Sequence, residues 1–498
     1  MSSPKAAGPN AERFEVAILG AGLGGLAMAC SLANSGIRDI AIFERDDGVG
    51  GTWRANSYPG AACDVPSHLY CLSFAANPYW SRTYAAQPEI LAYIEDCYDR
   101  FNVRPKVRLS TEIVAASWHD ERQCWRLSDA LGRQYEAKVV VAAIGIFHTP
   151  VTPAIPGLDD FAGTVFHSAR WNHHHDLTGR RVAVIGTGPS AIQVVPAIAA
   201  RTQHLVVHQR TPAWILPRKD QAFTEEQKRA FASDPQEALR YRTLLYKQYE
   251  QNTSFIAGDP AADVVAEMAR SYRERKVHDP GLRAKLTPEY PAGCKRVLIS
   301  SDFYPSVQRA DVELVTDQIE RVLPGAIRTV DGRVRACDTI VMCTGFQATR
   351  YLAGIEVTGR GGTSIHDHWA DTPRAYHGMA VRGFPNLFML YGPNTNQGGN
   401  SIILILEAQA HFVAAAIRAV CKGTASSVEV RPDAMRRYLH DLESALAGTV
   451  WNGGCDSYFR SPGGEIVTQL PHTAGWYREQ TRLFSTDDFE VRSGASRP

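Results

Sequence analysis

Two glycine-rich stretches of matching spacing are the residues best placed to hold a reactive ligand: Gly20-Ala21-Gly22-Leu23-Gly24-Gly25 and Gly186-Thr187-Gly188-Pro189-Ser190-Ala191. The first glycine of each permits a tight turn and the second lets the backbone approach a pyrophosphate. The last position, Gly25 or Ala191, lets a helix pack closely on a strand. A helix starting there aims its N–H groups and the positive end of its dipole at the phosphates. The ligand expected at each is a dinucleotide, and the residue that reads its adenosine ribose is found by counting. Glu44 stands 24 residues after Gly20, an acceptor for ribose hydroxyls. The same offset from Gly186 reaches Arg210, with Thr211 beside it. An arginine there pairs with a 2′-phosphate that an acid would repel. No Asp or Glu occurs between Asp176 and Asp220. The first site is therefore read as one for FAD and the second as one for NADPH.

Elements of the right kind surround both sites. Phe14 to Leu19 is a short apolar run of buried-strand type, followed by an apolar helix pattern and a second strand at Asp39 to Phe43. Arg181 to Ile185, a helix pattern through Ala200 and a strand at Leu205 to His208 repeat that order. Residues 220–278 are rich in Glu, Lys, Arg, Gln and Ala and read as helices. Val312 to Val315 and Ile319 to Val322 read as strands resuming the second domain, and Asp331-Gly332 as a hairpin turn. Val139 to Gly145 and Asp338 to Phe346 are buried strands at which the chain leaves and re-enters the first domain. The fold class expected is α/β, with two Rossmann-like dinucleotide-binding domains and a helical insertion at 220–285 in the second. The FAD domain is expected at 14–150 and 335–498 and the NADPH domain at 151–334, after a lead-in at 1–13.

Composition narrows the class. A chain of 498 residues exceeds the roughly 250–300 at which one core stops growing. A net charge of +1 gives no broad attraction for nucleic acid or an anionic membrane. Met1 to Arg13 has no apolar core of a secretion signal. The longest apolar stretch, Ser401 to Val420, carries Glu407, Gln409, His411 and Arg418, and reads as a buried helix rather than a span. The loop before it, from Gly392 to Ser401, either faces the pyrimidine end of a flavin or is ordinary turn chemistry. Ten cysteines with no C-x-x-C pair suggest reduced thiols in a cytoplasmic protein. His173-His174-His175, His366 and His368 lack the flanking ligands of a metal site, and no metal is expected. Oligomeric state is not legible.

Five further segments carry a resemblance. Phe161 to Asn172, FAGTVFHSARWN, resembles the FxGxxxHxxxW fingerprint of the class B flavoprotein monooxygenases, and within them the Baeyer–Villiger monooxygenases. Asn172 stands where that fingerprint has Pro or Asp. Gly50-Gly51-Thr52-Trp53 with Asn56, Tyr58-Pro59-Gly60 and Asp64 resembles the family's flavin-side segment. Gly293-Cys294-Lys295-Arg296 resembles its GxKR, Gly383 to Thr395 its second flavin stretch, and Gly448 to Cys455 its tail. Where relatives carry an NxxxWP pattern, this chain has Ile466 and Leu470 before Pro471, which bears on substrate choice.

The resemblance implies an enzyme in which NADPH reduces FAD and O2 then forms a C4a-peroxyflavin. That species inserts oxygen beside the carbonyl of a small ketone, giving an ester or lactone. Arg296 is implied as the active-site cation, Asp64 as the acid that positions it, and Lys295 as a partner of Arg210 and Thr211 at the 2′-phosphate. Gly51, Thr52 and Trp53 are implied at the flavin. Arginine suits the role because it offers directed N–H groups and supplies no proton at neutral pH. His167 and Trp171 are read as structural residues of the crossing between domains. Tyr58, Trp214, Trp369 and Tyr458 are candidates for the substrate pocket. The alternative is oxygenation of nitrogen or sulfur with the same cofactors. A non-oxygenating NADPH reductase, which needs a paired cysteine beside the flavin, and a nucleotide-binding sensor are more distant readings.

Overall fold

The computed structural model describes residues 11–422 and 425–493, so residues 1–10 of the expected lead-in lie outside the described residues. The strand Glu12–Leu19 pairs in parallel with Ile40–Phe43 on one side and Gln134–Ala142 on the other. Cys124–Asp129 and Ile113–His119 extend this sheet antiparallel. Two strands from far along the chain complete it, both parallel: Glu356–Thr358 beside Ile113–His119, and Leu387–Met389 beside Gln134–Ala142. With the short strand Val107–Arg108 beside Ile40–Phe43, the sheet has eight strands. Its innermost residues, Val16, Ala17, Ile18, Val139, Val140 and Val141, have no solvent exposure, as expected of strands covered on both faces.

The second sheet is parallel throughout, in the order Val312–Val315, His204–His208, Arg181–Ile185, Thr339–Met342, Thr164–His167. Thr339–Met342, which the sequence reading placed with the segment 335–498, lies between Arg181–Ile185 and Thr164–His167 and belongs to this second sheet. Ile319–Leu323 is a strand, as expected. It leaves the parallel sheet and forms an antiparallel three-stranded meander with Ala326–Thr329 and Val334–Ala336. The turn at Asp331-Gly332 joins the last two strands, with Gly332 at a φ of 80°.

Between the two halves of the second sheet run the helices Glu225–Ser233, Pro235–Glu250, Pro260–Lys276 and Pro280–Lys285. Their starts are written locally. Thr224 and Gln227 form a reciprocal capping box, and Asp234, Asp259 and Asp279 each accept a backbone N–H ahead of a proline. Such caps stabilise a helix by about 1 kcal/mol each. The apolar stretch after the Gly392–Ser401 loop forms the helix Ile402–Cys421, whose Ile403, Ile405, Val413 and Ile417 have no exposure. By length and composition it could cross a bilayer, yet it packs with the first nucleotide helix, Leu23–Asn34, in the largest core.

The two nucleotide folds interlock through residues 58–62. The Tyr58 hydroxyl donates to Gln193 Oε1 at 3.0 Å, and Gln193 Nε2 donates to the Ala62 carbonyl at 2.9 Å. Gly60, at a φ of 82°, lies so close to the helix Ala191–Ala199 that a Cβ would meet the Gln193 carbonyl oxygen at 2.6 Å. Gly60→Ala adds overpacking and a strained φ, and is expected to destabilise the protein by roughly 1–3 kcal/mol. The check is thermal unfolding, where a midpoint within 1 °C of wild type would contradict the contact, since about 2–4 °C is lost per kcal/mol.

One expectation about cysteine fails. Cys294 and Cys455 form a disulfide, while the other eight are free. Nothing in the spacing reveals the pair, because the two residues are 161 positions apart and meet only in the folded chain.

Candidate active site

At the first fingerprint the backbone leaves Glu12–Leu19, turns at Gly20 with a φ of 103°, and enters the helix at Leu23. A Cβ on Gly25 would stand 2.1 Å from the Gly20 carbonyl oxygen, so only glycine lets the helix close on the turn. Gly51, at a φ of 54°, faces Gly22, and the short helix Thr52–Ala55 follows it. Gly20, Gly22, Glu44, Gly51, Thr52 and Trp53 line one cavity, together with Tyr391 and Leu406 from the later segment. Glu44 is buried and accepts the N–H groups of Ala21 at 2.7 Å and Asp46 at 3.0 Å. Burial pushes its carboxyl above the usual range, and those two bonds oppose the shift. Each of its oxygens keeps a lone pair for a ribose hydroxyl. The cradle suits a flavin nucleotide: two closely approaching backbones bare of side chains at Gly22 and Gly51, an acid, and aromatic and apolar walls.

The second fingerprint repeats the geometry. Gly186 turns at a φ of 109°, and a Cβ there would meet the Cys343 carbonyl oxygen at 2.5 Å. Gly188 has open space where its Cβ would be, which is what an approaching pyrophosphate requires. Thr187 donates its hydroxyl to the Thr211 carbonyl at 3.2 Å, tying the turn to the strand end that carries Arg210. Ser190 flanks the start of the helix, and Ala191 is fully buried beneath it. Arg210 is 88% exposed, and its contact with Asp456 is long, 3.9 Å. Lys295 lies over the Tyr290 ring at 5.0 Å. Burial lowers its ammonium pKa; Asp456 opposes the shift and Arg210 adds to it. The three cationic and hydroxyl groups expected at the 2′-phosphate, Arg210, Thr211 and Lys295, thus share one neighbourhood.

Arg296 and Asp64, 232 positions apart, meet between these sites. Arg296 Nε donates to Asp64 Oδ2 at 3.1 Å and Nη2 donates to the same oxygen. Both side chains are about 30% exposed, so the pair faces an opening rather than the core. Asp64 raises the guanidinium pKa above its ordinary value, against burial, which fixes it as a cation. Tyr458 and Tyr391 feel the same charge: burial pushes both phenols up and Arg296 pulls both down. Phe147 links the two tyrosines, 6.1 Å from Tyr458 and 6.5 Å from Tyr391, and meets Phe346 at 5.6 Å with the rings tilted. This aromatic group went unread in the sequence except for Tyr458. Its one local signal is the positive φ of Tyr391, 61°, which no residue pattern announces.

Of the other pocket candidates, Trp214 and Trp369 are buried with their indole N–H groups bound to the carbonyls of Tyr290 and Arg374. Tyr58 serves the interlock described above. Ile466 and Leu470 are 3% and 4% exposed and belong to apolar clusters, so their side chains act in packing. Asn172 accepts the His174 N–H at 3.1 Å, a turn that an Asp at that place could also make. His173 bonds Ser57, and His175 bonds Thr339. His167 is buried against Phe346 and accepts the Ala169 N–H; burial lowers its pKa, so it is neutral at pH 7.

A family model described as pyridine nucleotide-disulphide oxidoreductase matches residues 17–228. The chain is 41% identical over 484 residues to a Baeyer-Villiger monooxygenase of Pseudomonas aeruginosa, covering 97% of this chain and 92% of that protein. It belongs to the Baeyer–Villiger monooxygenase family. A second such relative, from Streptomyces coelicolor, is 40% identical across 96% of this chain and 93% of its own length. Among solved structures, cyclohexanone monooxygenase from Rhodococcus sp. Phi1 bound to NADP+ matches with a TM-score of 0.88 at 29% identity, over 97% of this chain and all of that one. Steroid monooxygenase bound to NADP matches with a TM-score of 0.85 at 30% identity, with the same coverage. The chain is thus a flavoprotein monooxygenase with the two-nucleotide α/β architecture. The shorter match at 17–228 falls on the nucleotide folds that monooxygenases and disulphide reductases share.

Proposed function

We propose that this Baeyer–Villiger monooxygenase binds FAD at Gly20, Gly22, Gly25, Glu44 and Gly51 to Trp53, and NADPH at Gly186 to Ala191, Arg210, Thr211 and Lys295. It uses O2 to insert one oxygen beside the carbonyl of a small ketone. The observation that carries the reading is the Arg296–Asp64 pair, drawn from distant parts of the chain to a partly open place between the two fingerprints. Bound flavin supplies acceptance of hydride from the nicotinamide and activation of O2. The chain's own residues hold charge and position. Arg296 offers five N–H groups, two of them taken by Asp64. Tyr458 also bonds this guanidinium, and the N–H groups left over would be available to the carbonyl oxygen that becomes negative as the ketone turns tetrahedral. Because the guanidinium keeps its proton, it stabilises that charge without quenching it. Asp64 sets the direction of the fork. Phe147, Tyr391 and Tyr458 form an apolar wall beside it that favours a carbonyl compound over water.

The test is turnover with NADPH and O2 on a cyclic ketone and, separately, a thioether. Product mass and NADPH consumption are scored together. Ester or lactone formed in proportion to NADPH supports the reading. Sulfoxide without lactone would move the enzyme to heteroatom oxygenation, and NADPH oxidation without any oxygenated product would discard the proposal.

A further inference from the structure

The Cys294–Cys455 disulfide lies where the two halves of the site meet. Cys294 directly precedes Lys295 and Arg296. Cys455 directly precedes Asp456, which pairs with Arg210, and is followed by Tyr458, which contacts Arg296. The bond therefore ties the loop carrying both cations to the C-terminal segment that covers them. No helix or strand runs from Gly453 to Ser457, so little else in that stretch fixes it. The residues on either side are anchored independently: Trp451 Nε1 donates to the Gly293 carbonyl at 3.1 Å, its ring stacks on Phe255 at 5.5 Å, Phe459 is buried in the same apolar cluster, and Arg460 Nη2 donates to the Trp451 carbonyl at 2.6 Å. The eight remaining cysteines stay thiols, so the chain is not built on a disulfide framework. Disulfides are rare in reducing compartments and, where they occur there, are usually transient, catalytic or redox-sensing.

We propose that Cys294 and Cys455 form a reversible redox strap: closed, it holds the tail over the Lys295-Arg296 loop; open, it lets the tail leave. Both are positioning residues, acting through Arg296, Lys295 and Tyr458. Opening takes a dithiol reductant. Its thiolate attacks Cys455, which is 8% exposed, and Cys294, fully buried, departs as a thiolate and is protonated. The second reductant thiol resolves the mixed disulfide, so two electrons and two protons pass to the strap. Closing takes hydrogen peroxide: one thiolate becomes a sulfenic acid with loss of water, the other displaces a second water, and the S–S bond forms. The effect on catalysis rests on the monooxygenase reading above; the strap itself does not.

The experiment uses the full-length holoenzyme after peroxide or dithiothreitol treatment. A cross-linked peptide joining Cys294 and Cys455 is expected after peroxide and is lost after dithiothreitol. Trypsin cleavage at Arg460 in the folded protein should be at least about five-fold faster once the strap is open, as expected of a locally released segment. Cys455→Ser, or Cys294→Ser should the first fold poorly, should be cut at the fast rate under both treatments. The ratio of oxygenated product to NADPH consumed should fall on reduction in wild type and not respond in either variant. Absence of the cross-linked peptide, or equal cleavage rates with the strap open and closed, overturns the proposal. If no substrate is oxygenated at all, the functional reading fails while the peptide and cleavage measurements still decide the strap.

Discussion

Arg296→Ala is expected to lower oxygenated product by roughly 10²–10³-fold, the effect of removing one preorganised donor from a developing oxyanion. NADPH oxidation should continue, so the ratio of product to NADPH collapses and hydrogen peroxide accumulates. Loss of structure is not the expected route. Asp64, left alone, is about one-third exposed and can be solvated, so the thermal midpoint should stay near that of wild type. Arg296→Lys should recover little, because a single ammonium cannot both take Asp64 along the fork and present a second directed donor. Measuring product against NADPH consumed decides the matter, and a variant making lactone at the wild-type rate would remove Arg296 from the chemistry.

The second large effect concerns the nicotinamide nucleotide. Arg210→Ala should reduce the preference for NADPH over NADH, as a ratio of kcat/KM values, by about 10–100-fold, the worth of one or two charge-assisted hydrogen bonds. Among the described residues Arg210 has only the long contact with Asp456, between two side chains nearly 90% exposed. A pair of that kind contributes little to stability, so the guanidinium is available to a phosphate and its removal should leave folding and NADH kinetics unchanged. The preference should also fall with rising ionic strength in wild type and less so in the variant. An unchanged ratio would show that Lys295 or the backbone reads the phosphate without it.

Both residues were legible in the sequence, but for different reasons. Arg210 follows from a local rule, since strand, turn, helix and strand fix how far the ribose-reading residue lies from the first glycine. The helices of the insertion are legible in the same way, because Thr224, Asp234, Asp259 and Asp279 write their starts into neighbouring residues. Arg296 came only through resemblance, for its partner Asp64 is 232 positions away and no local spacing joins them. The Cys294–Cys455 bond and the group of Phe147, Phe346, Tyr391 and Tyr458 were missed on the same ground: they are products of tertiary closure. Thr339–Met342 is legible as a buried strand but not as a member of the second sheet, because an apolar run declares burial but not which sheet buries it.

That strand has a consequence for how the molecule is made. Thr339–Met342 fills an interior position of the second sheet, and Leu387–Met389 pairs with a strand of the first. Neither sheet can be finished from the residues that begin it. On the ribosome, Gln134–Ala142 waits for Leu387–Met389, which begins 245 residues after it ends, on the order of tens of seconds at about 5–20 residues per second. During that interval the nascent chain exposes strand edges and apolar faces that the finished enzyme hides. Expression yield should therefore respond to chaperone supply and to growth temperature more steeply than the stability of the mature protein would suggest. Fragments ending before residue 339 should accumulate as aggregates rather than as a free nucleotide-binding domain.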